Sequence, residues 1–162
     1  MTGDVMVEPR AAMLAEVTEG LSRPQKELSP KYFYDRRGSE LFEEITRLPE
    51  YYPTRTERRL LREHIPAWLA AHAPRTLVEL GAGAADKTRA ILDAMREVID
   101  GRVYVPIDIS GEFLDAVAAA LREEYPRTVV RHFVSDMAGA LELPADLPGP
   151  VLFALLGSTI GI

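Results

Sequence analysis

The chain has 162 residues, 47 % of them hydrophobic, enough for a domain with its own apolar core. A net charge of −6 without a basic run argues against nucleic-acid binding, which needs a positive surface to release counterions. With no cysteine there are no disulfides, thiolate metal sites or thiol nucleophiles, and His64, His72 and His132 lack a short ligand spacing, so no metal is expected. The opening "MTGDVMVEPR" is acidic and lacks an apolar signal core, and no apolar run approaches the ~20 residues of a membrane span. A cytoplasmic chain without a membrane partner is the expectation.

Up to about residue 74 the pattern is helical. Pro9 followed by "RAAMLAEVTEGLSR" predicts a helix with proline in its first turn, stopped by Pro24. An aromatic loop, "PQKELSPKYFYDRRG", comes next. Ser39 is placed to cap a short helix carrying Leu41, Phe42 and Ile45, which Pro49 ends. Thr54 and Glu57 have the spacing of a capping box for the helix "RTERRLLREH", and Pro66 either kinks that helix or starts a new one.

From Thr76 onward strands and helices alternate. Strands are predicted over Thr76–Leu80, Val103–Ile107, Thr128–Val134 and Val151–Leu156. Between them, Ala90, Ile91, Ala94, Met95 and Val98 mark one buried helical face, and Phe113, Leu114, Val117, Ala118 and Leu121 mark another. This order favours a parallel sheet with right-handed crossovers. The segment "LPADLPGP" reads as a loop.

The stretch "LVELGAGAADKTR" carries the first chemistry. Gly81 and Gly83 follow a strand and precede a helix, predicted to begin near Ala85, which permits a tight turn and a close approach of ligand to backbone. A dinucleotide fingerprint would place a third glycine or alanine where Asp86 stands, and a carboxylate there repels a pyrophosphate, which disfavours a nucleotide-dependent oxidoreductase. No G-K-[S/T] follows, so this is not a P-loop. Asp108, at the carboxyl end of the second strand, is placed to accept hydrogen bonds from ribose hydroxyls; Asp136, in "FVSDM", would lie near an adenine. Lys87, a cation in a first helical turn, opposes the helix dipole and makes better sense beside a ligand carboxylate. Each residue alone also fits an ordinary turn, a helix cap or a solvated lysine. Together they describe an adenosine site with a carboxylate grip and no phosphate grip, which points to S-adenosyl-L-methionine.

The segments "SPKYFYDRRGSELFEEITRLPEYYPTRTE", "LVELGAGAADKTR", "YVPIDIS" and "LLGSTIG" resemble the histidine-specific Nα-methyltransferases of ergothioneine biosynthesis, from about Leu28 to Gly161. A related branch methylates other amino acids or indole alkaloid precursors. The resemblance implies a Rossmann-like class I methyltransferase sheet, of which the first four strands are present, preceded by an N-terminal helical segment. It divides the chain into residues 1–74, contributing substrate-pocket aromatics, and 75–162, a partial cofactor domain. It assigns Gly81, Lys87, Asp108, Asp136 and Met137 to the cofactor, with Met137 standing where many members carry an aromatic. It assigns Tyr51 to the amino-acid substrate, histidine, and Tyr34 and Phe42 to the pocket around the accepting amine. No residue is implied to be catalytic in the covalent sense; the methyl group passes in line from a sulfonium to a neutral amine.

One departure accompanies the resemblance. Family members follow "GSTIG" with an asparagine that holds the substrate's amino-acid end, whereas this chain has Ile162. They also continue into further strands and a substrate domain. The expectation is an N-terminal half that is inactive alone, completed by a C-terminal half in trans or self-associating through an open sheet edge. The alternative is a non-enzymatic remnant or partner subunit that binds cofactor or a second chain without catalysis.

Overall fold

Apolar, β-branched runs form strands where the pattern places them: β1 (Thr76–Leu80), β2 (Arg102–Asp108), β3 (Thr128–Val130), β4 (Phe133–Val134) and β5 (Val151–Leu155). The structure, a computed structural model, describes residues 9–33, 35–98, 102–135, 141 and 143–157. All strand pairings are parallel, in the order β3-β2-β1-β5, with β4 beside β2. The expected third strand is thus two short ones. Arg131 and His132 interrupt it, but the Arg131 amide still donates to the Tyr104 carbonyl at 2.9 Å, so the chain stays alongside β2.

Contacts divide the chain into two units, Met1–Phe33 and Tyr34–Ile162. In the first, α1 (Pro9–Ser22) begins at the proline and ends before Pro24, as expected. A 3-10 turn over Pro30–Phe33 follows, and there the Tyr32 hydroxyl donates to Glu16 at 2.7 Å.

In the second unit, α2 (Arg36–Thr46) starts three residues before Ser39. Its cap is Asp35, whose carboxylate accepts the Gly38 amide at 2.7 Å, so Ser39 is a buried helical residue and not the cap. α3 runs unbroken over Pro53–His72 with Pro66 inside it. The Thr54–Glu57 capping box does not form: Tyr52 is the N-cap residue, without a side-chain bond, and Pro53 opens the helix. α4 (Thr88–Val98) begins later than Ala85, because Ala85 takes a left-handed φ of 52°. α5 (Gly111–Glu124) completes the set.

Residues on alternate sides of a strand face opposite sides of the sheet. One face carries Leu77, Tyr104, Val130 and Ala154, packed with Leu69 of α3, Ile91, Leu92 and Met95 of α4, and Ala118 and Leu121 of α5. Val78, Val103, Val105 and Ile107 line the other face, against Leu141 and, from the expected loop, Leu143 and Leu147. Because β2 and β3 lie on one side of β1 and β5 on the other, the chain reverses its direction of travel between β1 and β5. In open α/β sheets ligands bind at the carboxyl ends of the strands beside such a reversal.

Candidate functional site

β1 delivers the chain at Leu80 into a turn where Gly81, Gly83 and Ala85 take positive φ of 70°, 50° and 52°. Glycine adopts this conformation without steric cost, and a Cβ on Gly83 would meet nothing within 4 Å, so that position faces open space. The amides of Gly81 and Ala82 donate to the Ile107 carbonyl at 2.9 and 3.1 Å, which moors the turn to β2. Asp108 ends β2 and accepts the Gly83 amide on Oδ2 at 2.9 Å and the Ser110 amide on Oδ1 at 3.1 Å. A carboxylate offers about four acceptor positions. Each oxygen of Asp108 therefore keeps capacity for another donor, as a ribose diol would require.

Lys87 and Asp86 of the turn are both held by α3. Lys87 Nζ donates to Glu57 Oε2 at 2.8 Å, while Asp86 pairs with Arg58. Glu57 also accepts the Gly157 amide on Oε1 at 2.7 Å, just beyond the end of β5. The residue read from sequence as half of a capping box therefore joins α3, the turn and the exit of β5. Gly157 has φ 80°, and a Cβ there would lie 2.6 Å from Lys87 Nζ. Glu57 extends the stripe of Leu61, Ile65 and Leu69, through which α3 meets the core, by one turn.

Behind the turn sits Glu79, only 2 % exposed on β1. Its carboxyl accepts the Thr88 hydroxyl at 2.6 Å, at the start of α4, and the Tyr104 hydroxyl from β2. Burial pushes the Glu79 carboxyl up to about 7, against the two hydroxyl donors and Lys87, which favour the charged form. Tyr104 is raised well above the usual tyrosine range by the same burial and by Glu79.

Phe42 of α2 and Tyr51 of the α2–α3 connection meet edge to face, with ring centroids 5.9 Å apart. A cleft of about 480 Å³ opens beside them in sequence, lined by Glu43, Thr46, Arg47, Thr54, Arg55, Arg58 and Asp86. Burial, and secondarily Asp86, raises the Glu43 carboxyl. The structure therefore brings Gly81, Lys87 and Asp108 to one edge of the sheet and pairs Tyr51 with Phe42. Tyr34, Asp136 and Met137 lie outside the described residues. Glu57, Arg58, Glu79 and Gly157 were not singled out from sequence as site residues. The only hint was that the doublets Glu57-Arg58 and Asp86-Lys87 both run acid then base, so that they can pair crosswise.

Residues 13–162 match a family described as "Histidine-specific methyltransferase, SAM-dependent". The Histidine N-alpha-methyltransferase of Mycobacterium tuberculosis is 45 % identical over 151 residues, covering 93 % of this chain and 46 % of that protein. The protein of the same name from Mycolicibacterium smegmatis is 44 % identical over 152 residues, with 93 % and 46 % covered. Ergothioneine biosynthesis protein 1 of Neurospora crassa is 33 % identical over 141 residues, 84 % of this chain and 16 % of that protein. The chain spans about half the length of the first two relatives, at 46 % of each.

Proposed function

Because the chain belongs to the histidine-specific, S-adenosylmethionine-dependent methyltransferase family, we propose that it forms the cofactor-holding part of a histidine Nα-methyltransferase. The observation that carries this reading is the Asp108 carboxylate, which bridges the amides of Gly83 and Ser110 beside a turn open to solvent. These residues suit the adenosyl group: spare carboxylate acceptors for a ribose diol, bare backbone at Gly83, and a lysine for the methionyl carboxylate. When bound, S-adenosylmethionine supplies an electrophilic methyl group on its sulfonium.

Within this reading, Gly81 and Gly83 keep the backbone low so that the ligand can approach, and Asp108 orients the ribose. Lys87 holds the carboxylate end, and Asp136 with Met137 would border the adenine. Tyr51 would contact the amino-acid substrate, with Tyr34 and Phe42 lining a dry wall near its amine. Residues 1–74 would supply these aromatics and residues 75–162 the cofactor platform. The accepting amine has to arrive neutral and at near-attack distance, so the protein's task is positioning and exclusion of water. Three successive transfers would give trimethylhistidine.

The cytoplasm is the setting we assign; among the described residues no helix is long and apolar enough to cross a membrane. The first two relatives run to about twice this length, since the chain covers 46 % of each. We therefore assign turnover to a longer protein, or to this chain with a C-terminal half in trans. The 162-residue chain alone would bind cofactor without methylating histidine.

Calorimetry with S-adenosylhomocysteine tests the proposal. Wild type should bind, and Asp108→Ala should lose the charge-assisted bonds to the ribose, about 1.5–3 kcal/mol. Equal affinity of the two proteins would remove Asp108 from the site, and no binding by wild type would favour a remnant that has lost the cofactor.

A further inference from the structure

The cation expected to hold a carboxylate is not alone. Lys87 Nζ and Glu57 Oε2 stand 2.8 Å apart, with side chains only 21 % and 29 % exposed, beyond the carboxyl ends of the paired strands β1 and β5. A lone lysine here would attract any anion. Paired with Glu57, the locus is close to neutral overall and strongly dipolar.

Hydrogen-bonding capacity sharpens the point. Lys87 has three donors, of which one goes to Glu57. Glu57 accepts one bond on each oxygen, from Lys87 and from the Gly157 amide, and each oxygen keeps further acceptor capacity. The pair thus offers unused donors beside unused acceptors. Gly157 keeps the space above Lys87 Nζ clear, since a Cβ would intrude to 2.6 Å. An α-amino acid carries an ammonium and a carboxylate on one carbon, the complement of such a pair.

We infer that Glu57 and Lys87 together form a receptor for a zwitterionic amino-acid end, with Lys87 taking the carboxylate and Glu57 the α-ammonium of the cofactor's methionyl group. This rests on the cofactor reading above and assigns Glu57 as the residue that selects for the amino group. In a partly dry site the charges are screened less than in water, so deleting one of them alters selectivity and not affinity alone. Glu57→Gln keeps the shape and one acceptor for Gly157 but removes the charge. It should weaken ligands that carry the ammonium and spare or strengthen those that carry only the carboxylate.

The experiment is calorimetry of the 162-residue chain and its Glu57→Gln variant with three probes. These are S-adenosylhomocysteine, its analogue lacking the α-amino group, and 5′-methylthioadenosine, which lacks both charges. Wild type should prefer S-adenosylhomocysteine over the deaminated analogue by about tenfold or more. Glu57→Gln should abolish that preference and leave 5′-methylthioadenosine unchanged. Equal losses for all three probes would mean that Glu57 only holds the structure, and would overturn the inference. Should Glu57→Gln fail to fold, wild type still decides: equal affinity for S-adenosylhomocysteine and its deaminated analogue overturns the inference while leaving the cofactor reading intact. If wild type binds none of the probes, both readings fall.

Discussion

Replacing Glu79 with glutamine removes the one carboxyl that β1 buries beneath the glycine turn, while keeping a side chain of the same shape. In the native protein this carboxyl is raised from 4.5 to about 7, chiefly by burial. The unfolded chain releases the proton near 4.5 while the native protein retains it up to about 7, so across that window the native state binds more protons. Stability from this group is therefore fully present below about 4.5, falls as pH rises, and levels off above about 7. At 1.36 kcal/mol per unit, the loss amounts to about 3 kcal/mol, a large share of the roughly 5–15 kcal/mol that domains possess. Glutamine has no proton to lose. Urea unfolding at a series of pH values, wild type against Glu79→Gln, isolates the effect, because every other titratable group is common to both proteins. The stability difference should shift by about 3 kcal/mol in favour of the variant between pH 4.5 and pH 7 and then stay constant. Parallel curves throughout that window would refute the argument, since Glu79 would then titrate as it does in the unfolded chain.

Gly157→Ala should strain the backbone at φ 80° and press a Cβ toward Lys87 Nζ, lowering stability by about 1–2 kcal/mol in urea unfolding. An unchanged midpoint would show that the β5 exit yields freely. β5 is an edge strand among the described residues, with Phe153 56 % exposed, so the purified chain should self-associate in light scattering as concentration rises. A monomer at all concentrations would contradict this.

The strands were legible because each is a short apolar run whose neighbours in sequence are polar or turn-forming. β3 and β4 were merged because Arg131 and His132 disrupt regular pairing without turning the chain away from β2. The glycine turn and Asp108 were visible as a local pattern, strand end followed by glycines and then an acid on the next strand. Glu57 was misread for the opposite reason. Its spacing from Thr54 satisfies a local rule, yet its partners lie at positions 87 and 157, brought near only by the parallel sheet. Glu79 looked like an ordinary strand residue, and its burial depends on α4 and β2 closing over it. Asp35 and Ser39 are both competent caps, and the choice turned on which one precedes the first helical residue.

The paired doublets Glu57-Arg58 and Asp86-Lys87 have a mechanical meaning beyond their charges. A single ion pair fixes a distance and lets a helix swivel about it. Two pairs from adjacent residues, set about 100° apart around the axis, work like the teeth of a key and fix α3's rotation as well. The same orientation points Leu61, Ile65 and Leu69 into the core, so polar teeth and apolar stripe enforce one angle. Changes in the length of the connection before Pro53 leave that key intact. One residue inserted between Arg58 and Leu61 would turn the teeth by about 100° relative to the stripe, and either the turn or the core would lose its hold on the helix.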